Sequence, residues 1–442
     1  MITISDPDIQ RIIEDETLRQ SSTLTLIPSE NHTSKDVLAA LGTVLSDKYA
    51  EGYPGKRYYA GNAVVDELET LVQERAKKLF GVPYVNVQPY SGSPANVAVM
   101  LALLEPGDAI MGLDLPYGGH LTHGYERNIT ARFWKSVPYK INPDGSFDMD
   151  AIRELARKHR PKLIICGGTA IPRSIPFEAF AEVAQDVGAY LLADISHISG
   201  LIAGGQHASP APYAHIVTTT THKTLRGPRG ALIMATERGF AKDADIGKKI
   251  DKAIIPGFQG GPHMNTIAGI GIALLEAAKP SFQVYAAQVV TNAKALADAL
   301  INAGFSLVSG GTDTHLLLID LTASGIGRGI VFQEALERIG LIANKNAIPN
   351  DPSSAFYPSG LRLGTPAITT RGLTASDMRQ IASWISQIGE RTKDIQIPGD
   401  AEERAAVLRQ FRESLKTDSF YETLEKDVRA LAARYPIPAQ SS

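Results

Sequence analysis

The chain has 442 residues, 44% of them hydrophobic, and 44 Lys and Arg against 47 Asp and Glu give it a net charge of −3. At about 150 residues per domain, this length predicts two or three packed units around a large core. The composition excludes a disordered chain, no apolar run reaches the roughly 20 residues of a spanning helix, and the scattered basic residues form no stripe for nucleic acid. What remains is a soluble protein acting on small molecules, with no nucleic-acid or membrane partner and the cytoplasm as its expected address.

In chain order, the opening MITISDPDIQRIIEDETLRQ is acidic and amphipathic and lacks the basic start and apolar centre of a secretory signal. From about Tyr53 to Leu275, short apolar β-rich runs alternate with helical stretches, the pattern of βαβ units around a mostly parallel sheet. In PYSGSPANVAVMLALLE, Ser91, Gly92 and Ser93 precede Pro94, which suits the first helical position. Backbone N–H groups and two hydroxyls would then face an anion at a helix N-terminus, a plain N-cap being the simpler role for the same residues. AIMGLDL reads as a strand, and DLPYGGHLTHG follows it with His120 and His123. No cluster of Cys or acidic residues with zinc spacing accompanies them, so no metal is expected, and an imidazole beside a flat cofactor ring is the better use of His120.

KLIICGG is an apolar strand carrying the single cysteine, Cys166, which is expected to be buried, inert and without a disulfide. After the helical FEAFAEVAQDVG, the strand GAYLLAD ends on Asp194, with His197 close behind. The β-branched run in AHIVTTTTHK favours another strand, delivering Lys223 to the carboxyl edge of the sheet, where α/β proteins bind ligands. A lone lysine there is ordinarily a solvated charge. Asp194 changes that reading, because the interval between the two fits one connection and one strand, letting an acid and an amine face one ligand. The pair suits pyridoxal phosphate, which forms a Schiff base with a lysine while a carboxylate keeps its ring nitrogen protonated.

Two helical stretches, GPHMNTIAGIGIALLEAAKP and SFQVYAAQVVTNAKALADALINAG, lead to a second unit that begins FSLVSGGTDTHLLLIDL and reads as smaller and α+β. Within it SGLRLGTPAIT offers Arg362, whose planar fork matches a substrate carboxylate, a surface salt bridge being the plain alternative. The charged EERAAVLRQFRESLKTDSFYETLEKDVRALAARY reads as a helix pair with an apolar stripe. The expected division is 1–52, 53–278 and 279–442.

Taken together, LIPSEN, DKYAEGYPGKRYYAGN, QPYSGSPAN, LEPGDAIMG, GGHLTHG, TTTTHKTLRGPRG, GFQGGP, SGGTDTHLLLIDL, NKNAIPNDP and SGLRLGTPAIT resemble the serine hydroxymethyltransferase family in order and spacing. The resemblance implies the pyridoxal-phosphate type I (aspartate aminotransferase-like) fold, an α/β architecture with a large, mostly parallel sheet domain and a smaller C-terminal α+β domain. It implies an enzyme that transfers the serine hydroxymethyl group reversibly to tetrahydrofolate, giving glycine and 5,10-methylenetetrahydrofolate. Lys223 would form the internal aldimine, Asp194 would pair with the pyridine nitrogen and His120 would stack on the ring. Ser91, Gly92 and Ser93 would bind the phosphate, and Thr169, His197, Thr220 and His222 would line the cofactor.

The same resemblance gives Ser29 and Arg362 the substrate carboxylate, and Leu115, Gly119, Leu121, Asn346, Ser354 and Phe356 the folate. Tyr49, Glu51 and Tyr59, with Gly260 and Gly261, would reach the site of a partner subunit, so a homodimer or a dimer of dimers is expected. Glu51 is the expected proton shuttle, enclosed by Tyr49, Tyr53 and Tyr59 and so raised in pKa; a salt bridge to Lys56 or Arg57 is its plain alternative. The chain departs from the family's usual residues at Ile171, where an aromatic is common, at Ile195 and Ser196, and at Ala355. Those departures leave open transfer from α-methylserine, or a folate-independent aldolase acting on β-hydroxy amino acids such as threonine. A catalytically dead binding protein would have lost Lys223 or Asp194, and neither is lost.

Overall fold

The computed structural model describes residues 4–439. One sheet holds seven strands: β1 (Tyr84–Asn86), β2 (Ala109–Leu113), β3 (Lys135–Tyr139), β4 (Leu163–Gly167), β5 (Tyr190–Asp194), β6 (Ile216–Thr220) and β7 (Ala231–Ala235). Their spatial order is β1-β7-β6-β5-β4-β2-β3. Neighbours from β6 across to β3 are parallel, and β7 runs antiparallel to both β6 and β1. The apolar runs are continuous because both faces of the sheet are covered. Ile164, Cys166, Leu191 and Ala193 turn into one core, while Leu163, Ile165 and Leu192 turn into the other. Cys166 is fully buried and burial pushes its thiol pKa up, so the single cysteine is a small core residue.

From β2 the chain moves outward to β3 and then recrosses to set β4 on the other side of β2. The loops after β2 and β4 therefore diverge, and a crevice opens at the carboxyl ends of the strands.

A second sheet has β8 (Ser306–Leu307), β9 (Leu316–Asp320), β10 (Asn344–Asn346) and β11 (Gly360–Gly364) in the antiparallel order β8-β9-β11-β10. The C-terminal helix pair, Ala401–Thr417 and Ser419–Arg434, buries Leu408, Phe411, Tyr421, Leu424 and Val428 in the core of this unit. The helix Pro280–Asn302 joins the two units. Its first half places Phe282, Ala286 and Val289 in the core of the large sheet, and its second half places Leu296, Ala297 and Leu300 in the small one. At about 1.5–3 kcal/mol for each buried large apolar side chain, this helix fastens the units at both ends.

The N-terminal segment is shared between the same two cores. Leu24–Thr25 pairs in parallel with Leu341–Ile342, and Leu24 and Leu26 lie in the smaller core, whereas Ala50 belongs to the larger. A hairpin, Gly52–Tyr53 with Lys56–Arg57, is pinned by Arg57, which pairs with Glu69 at 2.6 Å and Asp66 at 2.8 Å. Among the described residues no helix is long and apolar enough to cross a membrane.

Three local expectations are corrected. The threonine strand stops at Thr220, and Lys223 stands on the turn beyond it, closed by Gly227 N–H to the Thr221 carbonyl at 2.7 Å. Pro94 is not the first helical residue, since the helix begins at Gly92. Ser91 precedes that helix, yet its side chain makes no capping hydrogen bond, so the simple N-cap reading of its hydroxyl fails.

Candidate active site

The site is assembled from strand ends. β5 and β6 are parallel neighbours with Asp194 opposite Thr218, so the acid that ends one strand lies beside the strand that leads to Lys223. Asp194 is almost fully buried. Its Oδ2 accepts a hydrogen bond from Asn96 Nδ2 at 2.8 Å and lies 3.2 Å from His123 Nε2, and its Oδ1 accepts from the Ser196 N–H at 3.1 Å. Burial alone would raise its pKa, but these bonds, above all that from His123, outweigh burial and hold it well below the usual carboxylate range. An anion is therefore kept in the floor of the crevice.

Neither Asn96 nor this role of His123 was legible beforehand. Asn96 stands one turn inside the helix Gly92–Leu103 and is fixed by the Thr218 hydroxyl, which donates to its Oδ1 at 2.7 Å. The available signal was its place on the helix whose N-terminus was read as an anion cradle. From the sequence, His123 offers only the three-residue spacing to His120; among the described residues no group of three or more His, Cys, Asp or Glu side chains is placed to hold a metal.

Lys223 Nζ donates to Thr220 Oγ1 at 2.8 Å. Burial lowers its pKa to about 8, with Asp194 opposing and Arg229 and Arg362 assisting, so a reactive neutral amine is accessible near neutral pH. His120, its Nδ1 2.8 Å from Thr122 Oγ1, is brought down to about 4, chiefly by burial, and presents a neutral ring. His197 is likewise held down by burial and stacks on His315, with ring nitrogens 3.2 Å apart. Arg362, on β11, donates to Asn344 Oδ1 at 3.2 Å and to the Thr169 carbonyl at 2.6 Å. Burial lowers its pKa to about 10, which still leaves it cationic at neutral pH.

One cavity of about 360 Å³ brings together most of the residues singled out from the sequence. Gly92, His120, Thr169, Asp194, His197, Thr220 and Lys223, all expected to meet the cofactor, line it. Ser29 and Arg362, expected to hold the substrate carboxylate, also line it, as do Leu115, Gly119, Leu121 and Asn346, expected to meet the folate. A further cavity of about 430 Å³ shares Leu115, Thr169 and Asn346 with it and adds Asn350 and Ala355. Ser196 also lines the first cavity and its Oγ accepts the Thr220 N–H at 3.0 Å.

The other expected residues lie outside its lining. Ser91 and Ser93 flank Gly92 at the helix start, and His222, next to the lysine in the chain, is half-buried with its Nδ1 buried and unpartnered. Ser354 and Phe356 lie on a loop, with Phe356 76% exposed. Tyr49, Glu51, Tyr59, Gly260 and Gly261 form a separate group. The rings of Tyr49 and Tyr59 meet edge to face at 5.1 Å, a Cβ on Gly260 would come 3.3 Å from Glu51 Oε1, and Tyr90 donates to the Gly261 carbonyl at 2.8 Å. Tyr49 and Tyr59 are half exposed, at 55% and 50%. The enclosure expected around Glu51 is corrected in part: Tyr49 lies against it and Tyr59 packs on Tyr49, but Tyr53 instead donates to the Asp251 carbonyl at 2.7 Å, and Glu51 is half-buried. Among the described residues Glu51 makes no ion pair with Lys56 or Arg57.

The cavity suits one chemical shape. The N-terminus of the helix at Gly92 forms part of the wall, and a Cβ there would sit 2.7 Å from Thr220 Cγ2, so only glycine lets the helix end come this close. That end attracts an anionic tail such as a phosphate. Asp194 offers a carboxylate to a protonated ring nitrogen, His120 a flat surface, and Lys223 an amine for a carbonyl carbon. The residues present therefore fit pyridoxal phosphate.

Comparison with known proteins gives a concordant picture. A family model described as serine hydroxymethyltransferase matches residues 2–385. The serine hydroxymethyltransferase of Acidothermus cellulolyticus is 52% identical over 438 residues, covering 99% of this chain and 97% of that protein. That of Sorangium cellulosum is 52% identical over 390 residues, 88% of this chain and 90% of the relative. That of Rippkaea orientalis is 53% identical over 382 residues, 86% and 88% respectively.

Proposed function

This chain belongs to the serine hydroxymethyltransferase family, and from that premise we propose how its own residues divide the work. It is a pyridoxal-phosphate-dependent transferase of fold type I that moves the hydroxymethyl group of serine reversibly to tetrahydrofolate, leaving glycine and 5,10-methylenetetrahydrofolate. The observation that carries the division of labour is the meeting of the Lys223 amine and the Asp194 carboxylate in one cavity, the acid at the end of one parallel strand and the amine on the turn just beyond its neighbour.

When bound, pyridoxal phosphate supplies the electron sink for breaking the Cα–Cβ bond of serine. Lys223 would hold it through Nζ, and its lowered pKa keeps a fraction of that amine unprotonated at neutral pH. Asp194, kept anionic by His123 and Asn96, holds a proton on the ring nitrogen. The Gly92 helix end, with the Ser91 and Ser93 hydroxyls, binds the phosphate, and His120 keeps the ring plane fixed. Thr169, His197 and Thr220 complete that wall, with His222 next to Lys223 in the chain behind it. Arg362 and Ser29 would grip the serine carboxylate and so fix the orientation of the substrate in the cavity. Leu115, Gly119, Leu121, Asn346, Ser354 and Phe356 receive the folate.

The working unit in this reading is at least a homodimer. Tyr49, Glu51, Tyr59, Gly260 and Gly261 gather on a half-exposed surface outside the chain's own cavity, as residues lent to a partner's site would. Glu51 then moves a proton at the hydroxymethyl oxygen. Each active site draws on a large unit of about 53–278, a small unit of about 279–442 and the 1–52 segment, and the cytoplasm is the inferred compartment. Steady-state turnover of L-serine, α-methylserine and allo-threonine, each with and without tetrahydrofolate, tests the substrate assignment. Serine turnover that depends on the folate is expected. Faster use of α-methylserine, or folate-independent cleavage as the main activity, would replace it.

A further inference from the structure

The carbonyl oxygen of Lys223 is held twice. The Arg226 N–H closes the local turn on it at 3.1 Å, and Nδ2 of Asn31, 192 residues away in sequence, donates to it at 3.0 Å. The same Nδ2 donates to the Tyr285 hydroxyl at 2.8 Å. On the other side of the amide, Oδ1 accepts from the Thr370 hydroxyl at 2.7 Å and from the His32 N–H at 2.9 Å. A primary amide has two donors and room for two acceptances, and here all four are used. The side chain is therefore fixed in rotation as well as in place.

The turn that Asn31 grips is a strained one. Arg226 has φ +64, in the left-handed region that a residue with a side chain rarely adopts. Its guanidinium lies over the rings of Tyr285 at 4.7 Å and Phe282 at 5.8 Å, both on the long helix that joins the two units. Lys223 thus stands on a turn clamped by the N-terminal segment, by the joining helix and by the helix Pro366–Thr370. Asn31 itself does not line the cavity.

What makes this clamp consequential is what else its members carry. Ser29 lies just before Asn31 in the chain, and Arg362 lies on β11, which runs directly into the helix that ends at Thr370. The frame that grips the substrate carboxylate and the turn that carries the amine are tied together through one amide. We infer that Asn31 is a positioning residue, which holds the Lys223 main chain at a fixed separation from Ser29 and Arg362 so that the amine meets the carbon presented to it. This inference rests on the reading of Lys223 as the cofactor-carrying amine.

The test compares the unsubstituted protein with Asn31→Ala, Asn31→Asp and Thr370→Val. Asn31→Asp keeps the acceptances from Thr370 and His32 while losing both donors, so the clamp can be opened even if the alanine variant fails to fold. Thr370→Val leaves the bond to Lys223 intact and, of the Asn31 bonds, cuts only the tie toward the Arg362 segment. Two quantities are read: hydrogen exchange at the Arg226 and Gly227 amides of the cofactor-free protein, and the rate at which added pyridoxal phosphate is fixed on Lys223, followed by borohydride reduction and peptide mass. Both Asn31 variants are expected to exchange about tenfold faster at those two amides, with no change at Leu191–Ala193, and to fix the cofactor about tenfold more slowly. Thr370→Val should change the fixing rate less than about threefold. Fixing rates within about twofold of the unsubstituted protein in both Asn31 variants, or faster exchange spread evenly over the sheet, would overturn the inference and leave Asn31 as a general fastener. Absence of a pyridoxyl group on Lys223 in the unsubstituted protein would instead overturn the reading of the site, and the inference with it.

Discussion

His123 Nε2 lies 3.2 Å from Asp194 Oδ2, inside a pocket where the carboxylate also takes the Asn96 amide at 2.8 Å. A buried carboxylate left alone would bind a proton; this one is kept charged by its neighbours.

Asp194→Asn keeps the shape of the side chain and removes the charge, and a neutral amide cannot hold a pyridinium. The variant should still bind pyridoxal phosphate but lose at least about 100-fold in kcat, or about 2.7 kcal/mol of transition-state stabilisation. Near-normal turnover by that variant, measured with saturating cofactor, would remove the electron-sink role from Asp194.

The Lys223 amine is lowered to about 8 by burial, opposed by Asp194. Its neutral fraction therefore rises as pH climbs through 8 and levels off above it. The rate of pyridoxal phosphate fixing by the cofactor-free protein should follow that curve. A rate still climbing toward pH 10.5 would describe a lysine in water.

Arg362 is aimed by Asn344 and the Thr169 carbonyl, which leaves the rest of its fork for a carboxylate. Arg362→Lys keeps the charge and loses the fork, so KM for serine should rise at least about tenfold while cofactor binding stays unchanged. An unchanged KM would place the substrate carboxylate elsewhere.

If Glu51 acts on a partner's site, a Lys223→Ala chain and a Glu51→Gln chain rescue one another. Each mixed dimer then has one site with both residues intact, and equal mixing should recover about a quarter of full activity. No recovery, with mixed dimers demonstrated by mass, would put Glu51 to work within its own chain.

Several buried histidines should also make the fold acid-labile. His197 is held below its ordinary pKa, His315 is lowered to about 3, and His120 and His32 to about 4, all mainly by burial. Unfolded histidines bind protons near 6.5, so the stability is complete above that pH and is lost as pH falls toward 4, by up to about 1.4 kcal/mol per unit for each histidine. Chemical denaturation from pH 7.5 to 4.5 checks the slope, and His315→Gln should flatten it.

The α/β alternation was legible because a parallel sheet buried on both faces must be written as short apolar runs, and GAYLLAD and KLIICGG are that. Lys223 and Asp194 stood out because charged groups at the ends of such runs need a reason. Asn96, His123 and Asn31 did not stand out. Each works through another residue across a long interval, Asn96 on an acid 98 residues on and Asn31 on a carbonyl 192 residues on, and no local pattern records such a pairing. Pro94 misled because it suits a first helical position, while Gly92 takes that place by letting the helix end approach Thr220. The Glu51 environment was misjudged for a similar reason, since adjacency in YAEGYPGKRYY does not reveal that Tyr53 turns away to Asp251.

The most direct measurement is turnover of serine with tetrahydrofolate by Lys223→Ala, with pyridoxal phosphate in excess and the unsubstituted protein alongside. Loss of at least about a thousandfold in hydroxymethyl transfer, with the fold intact by circular dichroism, is the predicted result. Undiminished formation of glycine and 5,10-methylenetetrahydrofolate by that variant would contradict the central role given to Lys223.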